Sequence, residues 1–441
     1  MLQRPLPYGQ PHVLRGGFDL RKFSSDAALV VGAAVVANLF SFVFHFVLSR
    51  RLGPDSYGTL VTMMAFAGML GVLGSSIGTV AMQEAAKLWT QHLEAQIPPF
   101  VRRTSRPVLG LAIVVSVGLV LVGLSLQSYL HIGQPLLWWL LALWVTIAIY
   151  LGFARGVAQG AHRFGIFAGS LISDGAGKVV FSLALVALGF GVAGALGGLA
   201  VSAVVALALV LGPIALGGDA HPWALGERLR LGGEALKVLA VASATSAQLY
   251  IDTLFAKHHF AGDVTGYFGA AGTIARTLPY GVSLFALIIM PKAAAARHAS
   301  RDSLAHILAL AAGIAAVIVV VGLSLLILFS HQIIALTYGP SYAPAAALLR
   351  MYAVDEALFA LWVIAISYLV AVTRYEVFGF LLAAVVLEII SMAAFGSTPV
   401  RLLSIAIIVN AALLPVVWAL ALRTLRDAPQ AGSPPSAENA L

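Results

Sequence analysis

FVLSRRLGPDSYGTLVTMMAFAGMLGVLGSSIGTV, residues 46–80, decides the fold. It reads as the end of one apolar run, a short polar turn, and a complete second apolar run. A bilayer-spanning helix needs about 20 mostly apolar residues, so the stretch predicts one helix leaving the membrane and the next re-entering it. The unit recurs along the whole chain of 441 residues. The expected spans are 27–49, 57–80, 107–126, 136–154, 165–188, 191–217, 238–255, 265–290, 304–329, 344–371, 377–395 and 402–422. Sixty per cent of residues are apolar and 10% are charged, against about 25% charged in a soluble domain. Barrel strands are short and alternate apolar with polar residues, which these runs do not. The chain therefore reads as an all-α polytopic membrane protein of about twelve transmembrane helices. With almost nothing outside the bilayer, its function is carried out between or across its helices.

Arg4, Arg15, Arg21 and Lys22 precede the first span, as in a signal peptide. That span is too long for a cleavable apolar region and no small-residue cleavage site follows, so it reads as a retained helix. The chain has no cysteine, which excludes disulfides, thiolate metal sites and thiol catalysis. DAPQAGSPPSAENAL, residues 427–441, is polar and proline-rich, the composition of a disordered tail.

Orientation follows from Lys and Arg. With the N-terminus cytoplasmic, the cytoplasmic segments hold the four N-terminal cations, Lys87, Arg102, Arg103, Arg106, Arg155, Arg163, Arg228, Arg230, Lys237, Lys292, Arg297, Arg301, Arg374, Arg423 and Arg426. The opposite side holds only Arg50, Arg51, Lys257 and Arg401, and Lys178, Arg276 and Arg350 fall inside spans. Both termini are expected in the cytoplasm. The net charge of +8 sits where topology and anionic head groups place it, so no nucleic-acid partner is implied.

Residues 218–237 form the longest cytoplasmic link and divide the helices six and six. The expected organisation is an N-terminal segment 1–26, a six-helix bundle 27–217, the link 218–237, a second bundle 238–422 and a tail 423–441. A shift of 208 residues lays RRLGPDSYG (50–58) on HHFAGDVTG (258–266), matching Asp55 to Asp263 and Gly58 to Gly266, and later Met82 to Met290. HRFGIF (162–167) and TRYEVF (373–378) occupy the same place in their halves. Six-helix repeats share orientation, so the expected relation is a pseudo-two-fold axis along the membrane normal, with substrate at the repeat interface.

The opening stretch resembles that of polysaccharide flippases of the multidrug/oligosaccharidyl-lipid/polysaccharide exporter superfamily, through Ser49, Arg50, Leu52, Gly53, Tyr57 and Gly58. YIDTLFAKHHFAGDVTGYFGAAGTIARTLPY (250–280) is similar through Asp252, Gly266, Tyr267 and Ala270, and IIALTYGPSYAPAAALLRMYA (333–353) resembles the connection between the ninth and tenth helices. The likeness covers roughly residues 25–425. It implies a bacterial inner-membrane flippase for a polyprenyl-pyrophosphate-linked oligosaccharide, serving a surface polymer such as an O-antigen or exopolysaccharide. It also implies two V-shaped alternating-access states, membrane lipid around the bundles, and other polysaccharide-assembly membrane proteins as partners. The lipid II branch carries two further helices and a more basic first pair, which this chain lacks.

Ionisable groups at mid-membrane are costly and need a pore, a partner or a function. Arg276 is the deepest cation, with Pro279 expected to kink its helix. Its guanidinium suits a pyrophosphate, or else pairs with Asp252 on the preceding helix. Arg350, Lys178, Arg50 and Arg51 are the other candidate substrate ligands, with Arg50 and Arg51 also readable as interfacial anchors. Asp174 and Lys178 are spaced i, i+4 and can neutralise each other. Asp252, Asp355 and Asp174 are candidates for ion coupling or ion pairs, with proton or sodium coupling in place of any cofactor. Glu388 stands alone.

GFGVAG (189–194) fits a dinucleotide fingerprint, but no strand precedes it; it reads as a tight turn between helices. His258 and His259 point apart on a helix and give no metal site. Trp138, Trp139 and Trp144 read as interface belt and packing. A multidrug exporter of the same superfamily is the alternative, and predicts a carboxylate-lined lumen for cationic substrates. A membrane glycosyltransferase or polymerase is the enzyme alternative, but no nucleophile–base pair or metal-ligand spacing appears. The expected mechanism is rocking of one bundle against the other, with Arg276 holding the head group while the tail stays in lipid.

Overall fold

A computed structural model of the chain describes residues 20–215, 233–296 and 301–427. The N-terminal segment before residue 20, most of the 218–237 link, the tail beyond 427, and Arg4, Arg15, Arg228, Arg230 and Arg297 lie outside the described residues, as do the side chains of Arg21, Lys22, Met290 and Lys292. Every regular element among the described residues is helical.

Helices α1 (20–52) and α2 (54–90) are joined by Gly53 alone, at φ 76° and ψ 169°. Positive φ is open to glycine without steric cost, and Pro54 opens α2 where its missing N–H leaves nothing unpaired. The polar turn expected over 50–56 is thus a one-residue joint, because polar residues that end a hydropathy run still continue a helix. Next come α3 (Ile97–Leu126) and α4 (Pro135–Gly160). α3 starts ten residues earlier than its apolar run, so Arg102, Arg103 and Arg106 lie on a helix. α5 (Phe164–Leu185) and α6 (Gly191–Ala215) turn through Gly189 (φ 93°) and Gly191 (φ 53°), the GFGVAG corner.

The second half begins with α7 (Gly233–His259). α8 comes in two pieces, Asp263–Ala275 and Thr277–Ala296, with Arg276 at the break. Pro279 lacks an N–H and crowds the carbonyl four residues earlier, that of Ala275, so the break falls one turn before the proline. α9 (Arg301–Leu328), a short helix Ser330–Thr337, α10 (Ala345–Ala371), α11 (Val377–Phe395) and α12 (Pro399–Asp427) complete the chain. By length and hydropathy nine helical segments among the described residues can cross a bilayer. Two of them, of 63 and 52 residues, each hold two crossings, and the broken α8 supplies another, which gives twelve.

In the first half, α2 and α4 pack backbone to backbone. A Cβ at Gly74 would lie 3.2 Å from the Ile149 Cα, and one at Gly156 would overlap the Gly78 carbonyl. Small residues let helices approach this closely in lipid, where hydrophobic drive between helices is absent. In the second half α10 is central, with Leu349, Tyr352, Ala353, Ala360, Trp362 and Ala365 fully buried. A predominantly apolar helix buried on nearly all sides takes Asp355 and Glu356 into the core with it.

The halves meet where α2 crosses α8. A Cβ on Gly58 would lie 2.7 Å from the Gly266 nitrogen, and Gly269 packs on Val61. Along α8, positions 266, 269, 273, 277, 280 and 284 form one stripe. Its first two members are buried, Thr273 is half-buried, and Thr277, Tyr280 and Leu284 are exposed. On α2 the exposed positions beyond the contact are Gly71, Ser75, Thr79, Gln83, Lys87, Trp89 and Thr90. The two helices therefore touch at one end and diverge toward the other, leaving a V-shaped cleft between the halves.

Candidate functional site

The closed end of the cleft is bonded as well as packed. Arg50 Nη2 donates to the Leu336 carbonyl at 2.7 Å, Tyr342 OH to the Ser49 carbonyl at 3.1 Å, and Lys257 Nζ to Thr59 Oγ1 at 3.0 Å. The Tyr57 and Tyr338 hydroxyls share a 3.2 Å bond, and His45 Nδ1 lies 2.9 Å from the Tyr57 hydroxyl. His258 stacks on Tyr129 with ring centroids 3.5 Å apart, and its Nδ1 donates to the Tyr129 carbonyl at 2.8 Å. These bonded inter-half pairs link the 49–59 or 129 region to the 257–258 or 336–342 region. Ser49, Tyr57 and Gly58 are thus parts of a closure.

Arg276 is fixed by the break in α8. Its Nη2 lies 2.8 Å from Asp252 Oδ1, its Nε 3.3 Å from Glu356 Oε1, and its side chain is 4% exposed. Nε also donates to the Leu249 carbonyl, and Nη2 to Thr253 Oγ1. The rings of Tyr250 and Tyr352 cover it at 5.0 and 5.8 Å, a favourable arrangement for a cation over a π face. Around it the network widens. Tyr352 OH donates to Asp252, Asn410 Nδ2 to Asp355 Oδ1 at 2.7 Å, and Gln248 to Glu388. Two buried carboxylates, Asp252 and Glu356, thus contact one buried arginine, and two more, Asp355 and Glu388, are buried in the second half with Asn410 and Gln248 as partners. Among the described residues Glu356 Oε2 and Gln248 Oε1 have no hydrogen-bond partner.

The first half holds the opposite balance. Asp174 Oδ2 lies 3.0 Å from Lys178 Nζ and 3.4 Å from Arg155 Nη2, and Ser202 Oγ donates to Asp174. Here two cations share one carboxylate. The Lys178 side chain keeps 24% of its surface exposed.

The five candidate cations are therefore not gathered in one place. Arg276 is paired in the second half, Lys178 in the first, and Arg50 is a bond of the closed end. Arg51 is exposed at the end of α1, and Arg350 is exposed near the start of α10 with its Nε bonded to Ser330 Oγ at 2.9 Å. Arg155 and Lys257, which sequence reading assigned to loops, sit inside helices with little exposure. Trp138 is wholly buried beside Phe66 and belongs to the core of its half, whereas Trp139 is exposed. Among the described residues no group of three or more metal-ligating side chains converges.

No protein-family profile and no curated protein matches the sequence. Solved structures do match the fold. An inward-facing multidrug-resistance MATE-family transporter of the MOP superfamily superposes with a TM-score of 0.67 at 17% identity, covering 91% of this chain and 98% of that chain. The fold is that of the MATE transporters. An outward-facing MATE transporter gives 0.61 at 17% identity, covering 91% and 94%, and a MATE transporter in the bent conformation 0.61 at 16%, covering 91% and 96%. At such identities the likeness is one of fold. It embraces twelve helices in two lobes, with the higher score against an inward-facing form.

Sequence reading singled out Arg276 and Asp252 but gave no role to Glu356, Tyr352, Asn410 or Gln248. These close the network from α7, α10 and α12, and no spacing along the chain announces contacts between helices so far apart in sequence. It also passed over Tyr250 and Tyr280, whose hydroxyls lie 2.7 Å apart.

Proposed function

We propose that this chain is an alternating-access flippase, moving a polyprenyl-pyrophosphate-linked oligosaccharide across the bacterial inner membrane for surface polysaccharide synthesis. The observation that carries this reading is the chemistry of the cleft walls. From Gly71 to Thr79 and from Thr277 to Leu284 the chain carries no charge. The exposed wall groups there are glycine, hydroxyls, a tyrosine and a leucine, while the four carboxylates of the Arg276 network, Asp252, Asp355, Glu356 and Glu388, are buried. A lumen for cationic drugs needs accessible carboxylates, because an organic cation in a low-dielectric cleft needs a counter-charge. A sugar needs hydroxyl partners and apolar faces.

With both termini cytoplasmic, the end closed by Gly58 and Gly266 is periplasmic and the cleft opens inward. The head group enters from the cytoplasm while its tail remains in lipid. Lys178, partly open and sharing Asp174 with Arg155, is the cation we assign to the diphosphate. Arg276, sealed by two carboxylates and two rings, we assign to the second-half network. That network, rich in carboxylates and with an unpartnered Glu356 oxygen, is where a proton or sodium gradient would couple to rocking of the halves.

The MATE structures make a cation-coupled multidrug exporter the second reading. Fluorescent lipid-linked oligosaccharide and cationic dye, each assayed in proteoliposomes, separate the two. Translocation of the lipid, reduced by Lys178→Gln, supports the flippase. Gradient-driven dye efflux without lipid movement assigns the chain to the exporters.

A further inference from the structure

Tyr280 is 49% exposed. On α8 it continues the stripe of Gly266 and Gly269, which touch α2 of the other half, so its open ring lines the cleft between the halves. The ring is not free to turn away. Its hydroxyl lies 2.7 Å from that of Tyr250, and Tyr250 is itself held on two sides. One side is Gly68 of α2, where a Cβ would overlap the Tyr250 ring, and the other is the Arg276 guanidinium at 5.0 Å. The pair thus forms a rigid aromatic shelf in the wall of the cleft, one turn beyond the break at Arg276. On α2, Ser75, Thr79 and Gln83 are exposed along the same cleft.

We propose that Tyr280, positioned by Tyr250, is the sugar-binding shelf of the cleft: its open ring stacks on the apolar face of a pyranose in the transported head group. This rests on the flippase reading and names the part of the substrate that the second half recognises. The axial C–H bonds of a pyranose carry partial positive charge and meet the negative face of an aromatic ring. The ring's equatorial hydroxyls point outward, toward donors and acceptors of the kind α2 offers. A rigid aromatic also loses little side-chain entropy on binding, and here the Tyr250 hydroxyl and Gly68 have already fixed it. The neighbouring Arg276 does not compete for the diphosphate, because Asp252 and Glu356 hold it.

The test uses the full-length protein in nanodiscs and two probes: polyprenyl diphosphate bearing a short neutral oligosaccharide, and the same lipid diphosphate without sugar. Wild type is expected to bind the sugar-bearing probe more tightly. Tyr280→Leu should weaken that probe about tenfold, the scale of one lost aromatic contact, and leave the bare lipid unchanged. Tyr280→Phe and Tyr280→Trp, which keep a ring, should retain the preference. Equal weakening of both probes in Tyr280→Leu, or a preference that survives it, overturns the shelf while the flippase reading stands. Wild type with no preference for the sugar-bearing probe overturns both. A retained cross-link between introduced cysteines at 129 and 258 reports that each variant keeps the closed fold.

Discussion

Gly58 and Gly266 touch backbone to backbone at the closed end of the cleft, and a 208-residue shift overlays them in the sequence. A residue and its own repeat partner meet where a pseudo-two-fold axis passes between α2 and α8. The absence of a side chain at both is what lets the halves close here. Gly58→Leu must then open this end. Overpacking costs about 1–3 kcal/mol, a shift of about 5–150-fold away from the closed form. Spin labels at Gln134 and Asp263, one in each half, should show a longer distance in the variant; an unchanged distance distribution would mean the glycine pair is not the closure.

Arg276 and Asp252 are buried together, so removing one leaves the other charged and unpaired. Arg276→Ala should cost about 3–5 kcal/mol of stability, read as a fall in thermal unfolding temperature. Arg276→Ala with Asp252→Asn should recover part of that loss. A double variant no more stable than the single would show that the pair does not act as a unit.

The twelve crossings and the 189–194 corner were legible because bilayer thickness and glycine conformation are written locally in the chain. The helix joints were not. Hydropathy ended α1 at residue 49 and began α3 at 107, whereas the helices run to 52 and from 97, since polar residues at the interface remain helical. Asp174 and Lys178 were readable as a pair because they share one helix face. Arg155, the second cation on Asp174, was not, because its reach to Ser170 and Asp174 depends on how α4 packs on α5. The same holds for Glu356, whose partner Arg276 arrives from another helix.

Glu356 gives the network an acceptor without a partner. Glu356→Gln keeps the oxygen facing Arg276 and removes the ionisable group. The variant should fold normally and exchange substrate down its gradient, but lose the several-fold stimulation by an imposed proton or sodium gradient. Undiminished stimulation would place coupling elsewhere.

Orientation is testable on the natural background, because the chain has no cysteine. Gln134 and Gln91 are both exposed, at opposite ends of the helices. In intact cells with a permeable outer membrane, Gln134→Cys should react with a membrane-impermeant maleimide and Gln91→Cys should not. The reverse pattern would invert the topology and place the closed end in the cytoplasm.

The most direct measurement joins the geometry to the transport. Tyr129 and His258 face each other across the closed end with rings 3.5 Å apart, so a Tyr129→Cys, His258→Cys protein can be bridged there by a short thiol cross-linker. In proteoliposomes carrying fluorescent lipid-linked oligosaccharide, bridging should stop translocation and cleavage of a reducible bridge should restore it. Translocation that continues with the bridge in place would contradict alternating access through this cleft.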